Sequence, residues 1–338
     1  MNTASPATLP SLTEAVAPLS LGAEVTGIGW LRDTAAFALA DGAVTLAKDG
    51  ETHRTEPHPG GSVLVSACNG KRLVTGGDDG RVVATGPDGS TATVAEAGGA
   101  WIDALALHPS GAFAFAAGKN VRAVDDKGRT KTFTAPSTAR GLAFAPKGYR
   151  LAVAHYNGVS LWYPNMEPAP ELLDWKGSHL DVTFSPDGRF VVTSMQENAM
   201  HGWRLAPDRG HMRMSGYAAK PRSFAWSFGG AWLATSGADA AIVWPFDSKE
   251  GPTGKAPREC GLRHAKVERV AFHPNVNVLA IGFEDGCILL VRFDDGAELL
   301  VRRAIQGSGI TALAWDKAGE RLAFGCEDGE AGILTLPG

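Results

Sequence analysis

Soft metal ligands crowd one stretch of the sequence. Four of the six methionines lie between Met195 and Met214, together with His201 and His211. Thioether sulfur and imidazole both bind copper or zinc. The two histidines stand ten residues apart, which is not the spacing of a ligand pair. The neighbourhood is also basic. From His201 to Arg222, five cations (Arg204, Arg209, Arg213, Lys220, Arg222) face only Asp208. Such a patch suits an acidic protein segment or a phosphate group, although charge runs are commonly solvated faces. Asp78-Asp79, Glu284-Asp285 and Glu327-Asp328 look like the paired carboxylates of acid–base chemistry. Their recurrence at equivalent turns makes them hairpin residues instead. No Walker loop, His-Glu-x-x-His or Gly-x-Ser-x-Gly occurs. The expectation is a protein that is not an enzyme and carries no cofactor or metal.

These side chains must be held by something, and composition narrows what. The chain has 338 residues, 44% hydrophobic and 20% charged, which is ample for a core and excludes a disordered chain. Lys and Arg total 32 against 36 Asp and Glu, so nucleic acid is not an expected partner. No apolar run approaches the roughly 18 residues of a membrane span. Cys68, Cys260, Cys287 and Cys326 form no Cys-x-x-Cys pair and no disulfide framework. The N-terminal stretch lacks an early Lys or Arg, and Glu14 interrupts it, unlike a signal peptide. A cytoplasmic monomer is expected.

Glycine, at 42 residues, is well above the usual share of about 7% and calls for many tight turns. A pattern of large, small and bulky residues recurs: Ile28-Gly29-Trp30, Leu105-Ala106-Leu107, Leu142-Ala143-Phe144, Val182-Thr183-Phe184, Phe224-Ala225-Trp226, Val270-Ala271-Phe272 and Leu313-Ala314-Trp315. Leu64-Val65-Ser66 is a degenerate eighth copy. The copies start 36 to 46 residues apart. From the third residue of a copy to a turn acid or amide is 13 residues in seven units, from Ser66 to Asp79 through Trp315 to Asp328. The first unit, Trp30 to Asp41, takes 11. Asp-Gly and Asn-Gly turns at these positions mark two-residue hairpins. A period near 40 built from short strands is the pattern of propeller blades. Small residues at the start of each unit suit strands crowded about an axis.

The units resemble WD repeats, as degenerate bacterial-type copies, over about Glu14 to Leu336. The best copy is His179 to Trp203, with Ser185-Pro186-Asp187-Gly188 and a Trp in the third strand. Trp162 and Trp244 hold the same strand position, but Tyr163, Arg204 and Pro245 follow where the family has Asp. The resemblance implies an all-β propeller of four-stranded antiparallel blades, with eight blades as the main expectation and seven as the alternative. One domain spans 1–338, with 1–13 flexible and 14–24 a closing strand that joins the last blade. Blades begin near 25, 62, 102, 139, 179, 221, 267 and 310.

The resemblance also implies a structural tetrad in blade five: His179, Thr193, Glu197 and Trp203. It implies a non-catalytic scaffold that binds another protein. At the aligned position near the channel rim, Arg140 and Arg222 flank Leu180 and would meet an acidic or phosphorylated segment. Trp101, Trp175 and Tyr217 fall in inter-blade connections, and Trp175 and Tyr217 complete the expected protein-binding set. A small-ligand or metal-binding propeller, using the channel or the His/Met segment 195–214, is the alternative. An enzyme with a site at the channel mouth is the third.

Overall fold

The computed structural model describes residues 10–206 and 208–337. Each repeat folds into strands because short apolar runs alternate with turn formers. The first is typical: Val25–Leu31, Thr34–Leu39, Val44–Lys48 and Glu51–Thr55 pair antiparallel in chain order. Thr34–Leu39 is buried at every residue, and Glu51–Thr55 is mostly exposed. Burial on both faces of the second strand means each sheet is packed between two others. Gly42 turns the hairpin at φ +87°, and a Cβ there would lie 2.2 Å from the His58 carbonyl oxygen. Glycine is therefore required by both conformation and space.

The small residues of the inner strands sit where neighbouring sheets meet. A Cβ on Gly29 would come within 2.4 Å of the Cys68 Cβ, and one on Gly141 within 2.6 Å of the Asp181 Cα. Indole nitrogens of the inner strands reach back to the preceding unit. Trp226 Nε1 donates to Thr183 Oγ1 at 3.1 Å and Trp315 Nε1 to the Ala271 carbonyl at 3.2 Å. Trp30 Nε1 donates to the Ala314 carbonyl at 2.9 Å, which joins the first unit to the last.

The ring is also closed by its outer strands. Val16–Ser20 pairs antiparallel with Glu330–Thr335, from Val16 opposite Leu334 to Ser20 opposite Glu330. The segment expected to be flexible is partly seated. The Leu12 amide donates to the Leu300 carbonyl at 2.7 Å, and the Leu300 amide donates to the Pro10 carbonyl at 2.9 Å. Residues 1–9 of that segment lie outside the described residues.

Hydrogen bonds group the strands into seven sheets, six of four strands and one of six. Eight separate four-stranded sheets, the main expectation, are not formed, and the sheet count agrees with the alternative of seven. The reason lies between the fourth and fifth repeats. Glu171–Phe184 runs as one 14-residue strand, pairing with Leu151–Trp162 through its first part and with Phe190–Met195 through its last. No helix among the described residues is long and apolar enough to cross a membrane.

Candidate interaction face and channel mouth

One face of the ring is built from two kinds of loop. The connections into each inner strand lie against the hairpins between second and third strands. The His58 amide donates to the Gly42 carbonyl, and the Ser62 amide donates to Asp78 Oδ1 at 2.7 Å. This face carries Trp101, 63% exposed, and Tyr156, 53% exposed. Arg140 lies between them in sequence and is also exposed.

The residues expected at the rim are placed differently from one another. Arg140 Nη1 lies 3.4 Å from Asp103 Oδ1, and Arg222 Nη1 lies 3.9 Å from Glu268 Oε2. Both guanidiniums are exposed but face carboxylates of their own chain, so the arc is not a free basic surface. The wider basic stretch is similarly offset: Arg204 pairs with Glu250, and Arg209 with Glu171. These acids lie far off in sequence, so counting local charge misses them. Leu180 is half-buried.

Tyr217 is not a surface anchor. It is buried, and its hydroxyl bonds Thr235 Oγ1 at 2.7 Å and accepts from Trp244 Nε1 at 2.7 Å. Burial pushes its phenol up to about 12. Trp175 is half-buried and stacks on His201, with ring centroids 3.9 Å apart.

The centre of the face opens into a cavity of about 530 Å3. Its charged lining residues are Asp103, Arg140, Asp181, Arg222 and Arg269. Asp181 is open to solvent in the cavity yet walled by the inner strands. That partial desolvation pushes its carboxyl up to about 6, against the pull of the Val182 amide. Arg269 donates from Nε to the Thr311 carbonyl and from Nη1 to the Glu268 carbonyl.

Polar networks lie inside several of the sheets. In the fifth unit, His179 is fully buried; Nδ1 lies 2.7 Å from Thr193 Oγ1, and Nε2 lies 2.9 Å from the Trp175 carbonyl. Glu197 accepts from the Ser178 amide rather than from His179, and Trp203 packs 5.4 Å from the His179 ring. In the second unit, His58 Nδ1 lies 3.0 Å from Asp79 Oδ1, and Nε2 lies 2.9 Å from Thr75 Oγ1. Burial raises the Asp79 carboxyl, but bonds from Arg81 and His58 outweigh it and hold it below the usual range. The sixth unit holds Tyr217–Thr235–Trp244.

The soft-ligand segment is core. Met195, Met200, Met212 and Met214 are all buried. His201 is fully buried, with Trp175 stacked on one side and Trp203 edge-on at 4.6 Å. Burial and the nearby His179, His211 and Arg213 push its imidazole down to about 3. Among the described residues, no three His, Cys, Asp or Glu side chains gather as metal ligands would.

Residues 270–336 match a family model described as the anaphase-promoting complex subunit 4 WD40 domain. The C-terminal WD40 domain of Sif2 superimposes with a TM-score of 0.75 at 12% identity, covering 98% of this chain and 100% of that one. A computationally designed protein, Ika8, superimposes with a TM-score of 0.77 at 17% identity, covering 94% of this chain and 98% of that one. The chain has the WD40 β-propeller fold. No match to it is found among curated proteins.

Within this WD40 propeller, the implied tetrad is distributed rather than concentrated. His179 and Thr193 bond in the fifth unit, while Glu197 and Trp203 serve other contacts. The second unit holds a His–Thr–Asp set that the sequence reading overlooked. The signal was present: His58 precedes Asp79 by 21 residues, the same interval as His264 to Asp285. In the sixth unit, Tyr217 bonds Thr235 much as His179 bonds Thr193 in the fifth. The one Trp-Asp dipeptide, Trp315-Asp316, is structural. Asp316 is buried, accepts from the Glu320 and Arg321 amides and pairs with the Arg321 guanidinium at 3.0 Å.

Proposed function

We propose that this chain is a non-catalytic scaffold in which one propeller domain spans the sequence and the rim face binds another protein. The observation that carries this reading is the pair of exposed aromatics, Trp101 and Tyr156, on a face held by a closed ring. Aromatic side chains on rigid frames are common anchors of protein interfaces. The WD40 fold is generally a protein-interaction scaffold, which supports the same reading. A cytoplasmic location belongs to this proposal; the four cysteines are free thiols.

An acidic or phosphorylated partner segment is the finer version, with Arg140 and Arg222 as its contacts. Their own ion pairs are long and exposed, and such pairs are worth about 0–1 kcal/mol, so a partner carboxylate or phosphate can displace them. Within the six-stranded sheet, His155 Nε2 lies 2.9 Å from Ser160 Oγ, five residues on, and Asn157 and Gly158 between them have φ of +68° and +144°.

The test is affinity purification with mass spectrometry from the native cell. Wild type, Trp101→Ala/Tyr156→Ala and Arg140→Glu/Arg222→Glu are compared at equal folded concentration. A partner lost with the aromatic pair supports the rim interface. Loss with the arginine pair as well supports the acidic segment. A partner list unchanged by both variants removes this face.

A further inference from the structure

We propose that the cavity at the centre of the rim face binds a small zwitterion of the amino-acid class, its carboxylate held by Arg222 and Arg269 and its ammonium by Asp181. The position just before the first apolar residue of each inner strand forms a ring. Six of its members, Gly27, Val63, Ala104, Gly141, Ser223 and Ala312, are small or uncharged. The other two are Asp181 and Arg269, on the fifth and seventh units, and both line the cavity. They are charges of opposite sign that do not pair with each other among the described ion pairs.

Each retains binding capacity. The only hydrogen bond described for the Asp181 carboxylate is from the Val182 amide beside it. A carboxylate accepts up to about four such bonds. Its elevated carboxyl fits the lack of a nearby cation. Arg269 spends two donors on backbone carbonyls and has no carboxylate within 4 Å among the described residues. A guanidinium carries about five N–H donors, so several remain. Arg222, on the unit between, meets Glu268 only at 3.9 Å. Across the cavity Arg140 and Asp103 face each other at 3.4 Å, which leaves the arc from the fifth to the seventh unit as the open one.

The chemistry sets the ligand class. Two guanidiniums favour a planar carboxylate, and a separate aspartate favours an ammonium. A plain dianion would place negative charge against Asp181. A diamine would place positive charge against Arg269. The 530 Å3 cavity falls within the roughly 300–1,000 Å3 of small-molecule sites. The site shares Arg222 with the acidic-segment contact proposed for the rim, while Asp181 and Arg269 belong to it alone.

The experiment is calorimetric titration and thermal shift of the full chain with a panel of free amino acids. Succinate and putrescine serve as single-sign controls. At least one amino acid is expected to bind and raise the melting temperature, with both controls weaker by about tenfold or more. Asp181→Asn and Arg222→Gln are each expected to weaken that binding about tenfold. Arg269→Gln should do the same, but it also removes a bond to the eighth unit, so Arg222→Gln gives the cleaner arginine arm. Absence of binding by every amino acid at millimolar concentration overturns the proposal. So does succinate binding as tightly as the amino acids, which would make this an anion site. Putrescine binding equally would make it a cation site and overturn it too. Amino-acid binding that survives Asp181→Asn and Arg222→Gln undiminished would place the ligand elsewhere.

Discussion

His58 is buried with both ring nitrogens engaged, and removing the ring takes one bond from Thr75 and one from Asp79, which keep their bonds to Val83 and Arg81. His58→Ala is expected to cost about 1–3 kcal/mol, the usual range for losing two such bonds, as measured by chemical denaturation. His179→Ala should fall in the same range through Thr193. His201 makes a different prediction, because nothing among the described residues hydrogen-bonds either ring nitrogen. It is held neutral, at about 3, whereas the unfolded chain takes up its proton near 6.5. Below 6.5 the unfolded state binds more protons, so stability is complete above that pH and is lost as pH falls toward 3. Burial lowers His155 and His179 as well, with the same sign. Asp181 opposes them. Its raised carboxyl makes the folded state bind the extra proton as pH falls from about 6 to the ordinary value, which favours folding. Three buried imidazoles against one solvent-open carboxyl should leave a net loss. Denaturation midpoints from pH 7.5 to 4.5 check this. His201→Phe should flatten the decline, and an unchanged slope would show that His201 is not its source.

At the scale of strands and turns, the constant 13-residue interval was readable because a hairpin is local: Asp79 and Asp285 place their turns whatever surrounds them. The inner-strand pattern was readable because crowding selects small residues, as Gly29 and Gly141 demonstrate. Other features were not. The burial of Tyr217 in a polar network follows no repeat pattern, so an aromatic residue in a connection looked like a surface anchor. The pairs Arg140–Asp103 and Arg222–Glu268 join residues 37 and 46 positions apart, which no local window contains. The continuous strand Glu171–Phe184 was also invisible, because the repeat placed the start of a blade near 179. Two glycines there give a prediction. A Cβ on Gly158 would lie 2.3 Å from the Leu173 carbonyl oxygen, which is backbone and cannot yield cheaply. A Cβ on Gly177 would meet the tip of Met195 at 2.4 Å, which can swing away. Both have positive φ, so both alanine variants carry strain of about 1–3 kcal/mol. Gly158→Ala should be the more destabilising of the two. Equal midpoints in urea would show that the backbone clash is relieved by the hairpin moving.

At the scale of the whole molecule, the ring is held shut at two radii. Near the axis, Trp30 bonds the Ala314 carbonyl, and the Arg321 guanidinium sits 4.5 Å over the Trp30 ring. At the periphery, Val16–Ser20 supplies the fourth strand of the last sheet, and the Leu21 amide adds a bond to the Gly329 carbonyl at 2.9 Å. Residues 10–12 reach further, to Leu300 of the preceding sheet. Deleting residues 1–22 removes the outer pairing and leaves Glu330–Thr335 as an open edge, while the Trp30 contact stays. Open edges pair with other chains. The truncated protein is therefore expected to melt at a lower temperature and to associate with rising concentration. Supplying a peptide of residues 10–22 should reverse both effects, since it restores the same register. Calorimetry and light scattering, with and without the peptide, make the measurement. A truncated chain that melts at the full-length temperature and stays monomeric would show that the inner contacts alone close the ring. The peripheral strand would then be a cover rather than a latch.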